Sequence, residues 1–161
     1  MALTPPAHTV FSLMTNSLSD SETPSVNKVA DQSPDPYRVL VATMISLRTK
    51  DEVTETASSR LFSVAPDVQT LARLPEKRIG ELIYPAGFYK TKAHNLRKTA
   101  SMICDRYGGL IPPDREKLVE LPGVGVKTAN LTLNLGFGIA AICVDTHVHR
   151  ISNRLGWVST S

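Results

Sequence analysis

Residues 121–129 read Leu-Pro-Gly-Val-Gly-Val-Lys-Thr-Ala and join two stretches with helical periodicity. The first stretch, 114–121, begins with Asp114 as its N-cap, and the second runs from Lys127 to Gly136. Two glycines within five residues permit a tight turn and remove side chains that would prevent close approach. The second helix then presents the backbone N–H groups of its N-terminus, which bind anions such as DNA phosphates. A bare Gly-x-Gly would favour an ordinary helix–turn–helix connection, but the full nine-residue string is far more specific.

The rest of the sequence is typical of a globular protein. Of its 161 residues, 42% are hydrophobic and 20% are charged, and the net charge is +3, which argues against disorder. No apolar run approaches the ~20 residues of a membrane span, so no membrane partner is expected. The first basic residue is Lys28, so we predict neither a secretory nor a transit signal. The predicted location is cytoplasmic, beside the nucleoid, if the source is bacterial.

Charge is distributed unevenly along the chain. Residues 1–70 contain 5 Lys and Arg against 8 Asp and Glu, a balance of −3, whereas residues 71–161 contain 13 against 7, a balance of +6. A basic C-terminal half suits a polyanion such as DNA. The imbalance alone is weak support, because many proteins with neutral partners share it.

The two cysteines predict no metal site and no disulfide framework. Cys104 and Cys143 are 39 positions apart, and a zinc site needs about four ligands at closer spacing. Each is best interpreted as a small buried apolar residue in a reducing compartment.

Most other segments predict helices, and none alternates as a strand does, so we expect an all-α fold. The predicted helices include 36–47, a helix that starts at Asp51, short helices after Asp67 and Pro75, and a longer helix at 91–107. The Ser-, Asp- and Pro-rich residues 19–36 predict a loop.

The hairpin string resembles the helix–hairpin–helix of the endonuclease III family of DNA repair glycosylases. The resemblance continues at 144–150, Val-Asp-Thr-His-Val-His-Arg, and upstream at 40–51 and 87–93, so it covers about residues 34–157. It implies the all-α helix–hairpin–helix DNA glycosylase fold.

The resemblance also implies how the chain is divided. Residues 1–30 would form an N-terminal helix and loop of a second domain, residues 31–137 the central helical domain with the hairpin at 114–136, and residues 138–161 the start of the second domain's C-terminal part. Family members often continue to four cysteines that hold a [4Fe–4S] cluster. We therefore expect a C-terminally truncated chain with an incomplete iron–sulfur domain and no bound cofactor.

Lys127 is the candidate nucleophile. It lies in the first turn of a predicted helix, where the positive end of the dipole disfavours a cation. The dipole and desolvation would both favour the neutral amine, which can attack a sugar carbon and form a Schiff base. A solvated lysine or a phosphate contact is the alternative from local sequence. The family resemblance implies the nucleophile.

Asp145 is the candidate catalytic carboxylate. Local sequence predicts a helix N-cap, and the resemblance implies the catalytic role as well. A carboxylate suits the reaction because positive charge develops on the sugar as the glycosidic bond breaks.

Further residues are expected to contact DNA. Phe88 occupies the family's wedge position and could fill the gap left by a flipped base, although a loop aromatic can instead pack into the core. Arg48 replaces the glutamine that family members usually carry as gap filler, which leaves the opposite-base preference open. His147 and Arg150 follow the catalytic aspartate. The complete expected set is Gly123, Val124, Gly125, Val126, Arg48, Phe88, Lys92, His147 and Arg150.

The resemblance thus implies a base excision repair glycosylase with AP-lyase activity, acting as a monomer on double-stranded DNA with damaged bases or abasic sites. It would remove oxidised pyrimidines and cleave 3′ to the abasic site by β-elimination. Two alternatives remain open: a non-catalytic helix–hairpin–helix DNA-binding fragment, and a glycosylase for another base.

Overall fold

The computed structural model describes residues 4–18, 24–32 and 34–160. Within those ranges the chain is helical and contains no strand, as the sequence predicts. The helices are α1 (Ala7–Ser17), α2 (Ser25–Gln32), α3 (Pro36–Ser46), α4 (Asp51–Val64), α5 (Val68–Arg73), α6 (Glu76–Ile83), α7 (Tyr89–Tyr107), α8 (Arg115–Val119), α9 (Val126–Leu131) and α10 (Thr146–Arg154). A π-helical turn, Thr132–Gly136, directly follows α9. None of the helices in the described ranges has the length and apolar character needed to cross a membrane.

Two units make up the chain. The larger comprises residues 24–143, and the smaller comprises residues 1–23 and 144–161, as far as they are described. The larger unit contains α2 to α9 and therefore the whole hairpin. Helices α1 and α10 belong to the smaller unit.

Helix α3 lies at the centre of the larger unit. It contacts α2, α4, α7, α9 and the π-helical turn, and its apolar side chains are buried on all sides, as expected for a helix without a polar face. Asp35 caps it by accepting a hydrogen bond from the Tyr37 N–H, and Pro36 occupies the first helical position. The Tyr37 hydroxyl donates to the Ala65 carbonyl (2.7 Å), which ties α3 to the end of α4. Burial raises the pKa of Tyr37 far above its usual range, so this hydroxyl remains a donor.

In the smaller unit, Trp157 joins the C-terminal segment to the N-terminal segment. Trp157 donates its indole N–H to the Pro5 carbonyl (2.7 Å), and its ring lies 5.7 Å from that of Phe11. Neither α1 nor α10 contains a fully buried residue. This unit therefore contributes little to the hydrophobic core, which lies in the larger unit.

The structure corrects the expected loop at 19–36. Residues 19–23 and 33 lie outside the described residues, but α2 forms at Ser25–Gln32. Its apolar residues Val26 and Ala30 are four apart, so they share one helix face, and both are buried against Val39 of α3. The larger unit consequently begins at residue 24, whereas the sequence analysis placed the boundary at residue 30.

Two helix boundaries also differ from the prediction. Helix α7 begins at Tyr89 rather than Thr91, directly after Phe88 in a left-handed conformation. The second hairpin helix, expected to continue to Gly136, changes to the π-helical turn at Thr132. The spacing of apolar residues does not indicate either the left-handed residue before α7 or the π-helical turn, so the sequence did not predict them.

Candidate nucleic-acid interface

The first helix and the turn of the hairpin at 114–136 have the geometry that the sequence predicts. Asp114 caps α8 by accepting from the N–H groups of Glu116 and Lys117. The turn closes where the Val124 N–H donates to the Leu121 carbonyl (3.0 Å). Gly123 has a φ of +77°, which favours glycine, and a Cβ there would also displace the Asn95 side chain, whose nitrogen would lie 2.8 Å away.

The outer surface of the turn is open. Gly123, Gly125 and Val126 are exposed, and a Cβ on Gly125 would meet no atom within 4 Å. Val124, in contrast, packs its side chain into the core. The Val124 side chain is therefore not available for a DNA contact, and its backbone N–H is already donated within the turn.

Lys127 is the second residue of α9, in the first helical turn as predicted. Its side chain is exposed, which differs from the desolvated environment expected from the sequence. The amine is accordingly accessible to a large substrate approaching the surface of the larger unit.

Asp145 caps α10, as predicted. Its Oδ1 accepts from the His147 N–H (3.0 Å) and the Val148 N–H (2.8 Å). Asp145 belongs to the smaller unit and Lys127 to the larger, and each is described within its own unit. Their joint action is part of the proposal below.

The two histidines of α10 have different neighbours. Nδ1 of His147 lies 3.2 Å from the Arg150 guanidinium, one turn along the helix. Nε2 of His149 lies 3.0 Å from the Thr160 hydroxyl. His147 and Arg150 are exposed and form one polar surface on α10, whereas His149 fastens the segment that follows the helix.

Arg48 and Phe88 form a pair on the surface of the larger unit. The Arg48 guanidinium lies 5.6 Å from the centre of the Phe88 ring, a cation–π contact. Phe88 is 64% exposed, so the alternative of a loop aromatic packed in the core is wrong. Within the described ranges, these are the only residues other than glycine with a positive φ, 54° for Arg48 and 56° for Phe88. Such backbone costs free energy and persists where the surroundings enforce it, often at functional sites.

Lys92 does not occupy the position expected of a DNA contact. It is 8% exposed, and its ammonium donates to the carbonyls of Ile45 (2.6 Å) and Leu47 (2.6 Å) and to the Thr49 hydroxyl (2.7 Å). An ammonium has three donors, and these three acceptors use all of them. The structure therefore corrects the expectation that Lys92 contacts DNA. The Thr49 hydroxyl, which the sequence analysis missed, shares this network.

Lys92 gives a prediction for stability against pH. Burial lowers its pKa from 10.5 to about 8, whereas the unfolded chain keeps the ordinary value. Between these two values the unfolded state holds more protons than the folded state, so stability rises as the pH goes from 8 to 10.5 and levels off below 8, where both states are protonated. We expect the free energy of unfolding of the wild type, minus that of Lys92→Met, to increase from pH 8 to 10.5. Denaturant titrations at a series of pH values measure it, and a constant difference would contradict the shift.

The residues present do not fit the four-cysteine cluster that the family resemblance implies. The sequence contains two cysteines, Cys104 and Cys143. In the part of the chain that the structure describes, no three His, Cys, Asp or Glu side chains are grouped as a metal site requires. These residues therefore offer no ligand set for a [4Fe–4S] cluster.

Comparison with known families agrees with the fold and the hairpin. The family profile described as HhH-GPD superfamily base excision DNA repair protein matches residues 41–161. The chain belongs to the HhH-GPD superfamily. The matched region includes α4 to α10, and so the hairpin, Asp145 and the Arg48–Phe88 pair.

Curated relatives of this HhH-GPD chain are endonuclease III proteins. It is 49% identical over 126 residues to Endonuclease III of Thermotoga maritima, an alignment that covers 78% of this chain and 59% of that protein. It is 42% identical over 138 residues to Endonuclease III-like protein 1 of Gallus gallus, covering 83% of this chain and 49% of the relative. The chain thus spans about half the length of the curated relatives it matches.

Solved structures of Endonuclease III have the same fold as this chain. A non-covalent Endonuclease III–DNA complex superposes with a TM-score of 0.83 at 31% identity, covering 99% of this chain and 72% of that one. A trapped Endonuclease III–DNA covalent intermediate superposes with a TM-score of 0.81 at 31% identity and the same coverage. The endonuclease III fold predicted from the hairpin is therefore confirmed.

Proposed function

We propose that this chain is a DNA glycosylase with AP-lyase activity that removes oxidised pyrimidines and then cleaves 3′ to the abasic site. The observation that carries the proposal is the exposed Lys127 in the first turn after the hairpin, in a chain of the HhH-GPD superfamily. A related protein, Endonuclease III, has been trapped in covalent linkage with DNA, and an amine is a group that can form such a link. The hairpin backbone would hold a phosphate near this amine.

In the proposed reaction, the neutral amine of Lys127 attacks C1′ of the damaged nucleotide. A C1′–Nζ bond forms as the bond from C1′ to the base breaks, and the base leaves with a proton. The C1′–O4′ bond then breaks, O4′ takes up a proton, and the resulting Schiff base acidifies the C2′ proton. Loss of that proton expels the 3′ phosphate by β-elimination, and water releases the lysine.

Asp145 would support the same reaction as a carboxylate. Positive charge develops on the sugar as the base departs, and a nearby negative charge lowers the energy of that transition state. The same group can transfer protons during ring opening and elimination. Its capping bonds to His147 and Val148 fix the orientation of the carboxylate at the start of α10.

Arg48 and Phe88 would occupy the space left by the flipped nucleotide. An aromatic ring that is 64% exposed can stack between bases, and the adjacent guanidinium can donate hydrogen bonds to the orphaned base. The proposed partner is accordingly double-stranded DNA that contains a damaged base or an abasic site, bound by a monomer. The proposed location is the cytoplasm, beside the nucleoid, if the source is bacterial.

The test is borohydride trapping with a duplex that contains an abasic site. We expect a covalent complex of the wild type with DNA, because borohydride reduces a Schiff base to a stable amine. A panel of duplexes with oxidised pyrimidines, oxidised purines and alkylated bases then defines the lesion. A wild type that binds duplex DNA but neither traps the abasic duplex nor releases a base from any lesion would identify a DNA-binding fragment instead of an enzyme.

Phe88→Ala should weaken lesion processing more than binding to undamaged duplex. Loss of the ring removes support for the flipped state, whereas the phosphate contacts remain. Single-turnover base release and equilibrium binding to undamaged duplex measure the two effects. Leu110→Ala is the matched control, since Leu110 is 75% exposed in a different loop. Equal losses in both assays would contradict a wedge function.

A further inference from the structure

The network around Lys92 joins segments that are distant in sequence. Lys92 lies in the first turns of α7, and its acceptors Ile45, Leu47 and Thr49 lie at the end of α3 and in the turn that follows. The network therefore fixes the start of α7 to the turn that carries Arg48. The wedge candidate Phe88 directly precedes α7. We call this contact region between the start of α7 and the turn at Leu47 to Thr49 the junction.

Thr49 is shared by both sides of the junction. Its hydroxyl oxygen accepts from the Lys92 ammonium (2.7 Å) and also from the Gly87 N–H (3.1 Å). Gly87 lies so close to the other turn that a Cβ would be 2.4 Å from the Arg48 carbonyl oxygen. The loop that carries Phe88 and the turn that carries Arg48 are therefore in direct contact. The contacting residues, Gly87 and Thr49, are the sequence neighbours of Phe88 and Arg48.

This junction explains how two unfavourable backbone conformations are maintained. Arg48 and Phe88 both have a positive φ, a conformation that costs free energy for residues with side chains. The Lys92 and Thr49 bonds lie directly beside both residues and oppose relaxation of either loop. A buried ammonium is itself costly, and here the carbonyls of Ile45 and Leu47 and the Thr49 hydroxyl offset that cost by accepting its three hydrogen bonds. These directional bonds fix the geometry of the junction in a way that an apolar side chain of similar length would not reproduce.

We propose that Lys92, acting with Thr49, is a positioning residue that holds Arg48 and Phe88 as a preformed pair for insertion into the DNA. The inference rests on the proposed function, because it assigns the junction to the base-flipping step. Preorganisation of this kind lowers the entropy that must be lost when the pair enters the duplex. Lys92 itself contacts neither the base nor the phosphate.

The first experiment requires no DNA. In Lys92→Met and in Thr49→Val, we expect amide hydrogen exchange of Gly87 to accelerate about tenfold, because its N–H loses a fixed acceptor or the acceptor loses its anchor. Thr49→Ser keeps the hydroxyl and should restore slow exchange. Lys98→Met is the matched control, since it removes an exposed lysine from the same helix. Unchanged Gly87 exchange in both Lys92→Met and Thr49→Val would overturn the inference.

The second experiment measures coupling to the wedge. We expect Lys92→Met to slow single-turnover base release by about tenfold to a hundredfold, with the Kd for undamaged duplex unchanged. Adding Lys92→Met to Phe88→Ala should then produce little further loss, because the residue that Lys92 positions is already absent. Thr49→Val should behave in the same way if Lys92→Met fails to fold. Fully additive losses would indicate a structural function only and would overturn the inference.

The two experiments separate this inference from the proposed function. A wild type that releases no base from any lesion refutes the proposed function, and the inference that depends on it then fails too. A wild type that releases base, with additive losses in the double variant, refutes only the positioning function of Lys92. Faster Gly87 exchange together with non-additive losses supports both.

Discussion

Lys127→Ala should abolish the borohydride-trapped complex with abasic DNA, since no amine remains at the helix N-terminus to form the Schiff base. Strand cleavage by β-elimination should be lost with it. Binding to the same duplex should weaken only modestly, because the hairpin backbone still provides its N–H groups for a phosphate. Trapping and equilibrium binding, measured side by side on the wild type and the variant, give the result.

The control for this substitution is a neighbouring lysine. Lys117 is exposed on α8, and its backbone N–H bonds to Asp114 in a way that alanine preserves. Lys117→Ala should trap as well as the wild type. If Lys127 served only as a phosphate contact, its loss would reduce the slope of log binding constant against log salt concentration by about one. Loss of a nucleophile need not change that slope. Trapping by Lys127→Ala at the wild-type level would show that another amine is the nucleophile.

Asp145→Asn should slow base release by about a hundredfold or more, while binding persists. The substitution separates the two functions of this residue, because asparagine caps a helix about as well as aspartate but carries no negative charge. Oδ1 can still accept from the His147 and Val148 N–H groups that it binds now. Single-turnover kinetics on a lesion duplex, with circular dichroism for helicity, measure both aspects.

Asp145→Ala provides the comparison that identifies the source of the effect. It removes the cap as well as the charge, and so should cost about a further 1 kcal/mol of stability relative to Asp145→Asn. If Asp145→Asn released base at the wild-type rate and only Asp145→Ala were impaired, the residue would be a cap alone.

Short-range chemistry explains what the sequence determined. The Asp35-Pro36 start of α3, the Asp114 cap of α8, the Gly123 turn and the Asp145 cap all depend on residues within a few positions of one another. Such signals survive without tertiary context, so the starts of these helices and the hairpin turn are predicted correctly. Family resemblance then supplied the candidate functions of Lys127 and Asp145, which local sequence left open.

Only the tertiary structure determined the folding of α2, the burial of Lys92 and the backbone conformations of Arg48 and Phe88. In α2, a short apolar stripe within a polar segment becomes helical because Val39 of α3 provides a surface on which to pack. Lys92 was expected on the DNA and is instead buried, because its three acceptors lie 43 to 47 positions earlier in the chain. The positive φ of Arg48 and Phe88 has the same origin, since their loops are held together by bonds between distant residues. No local pattern encodes such contacts, because they exist only once the chain has folded.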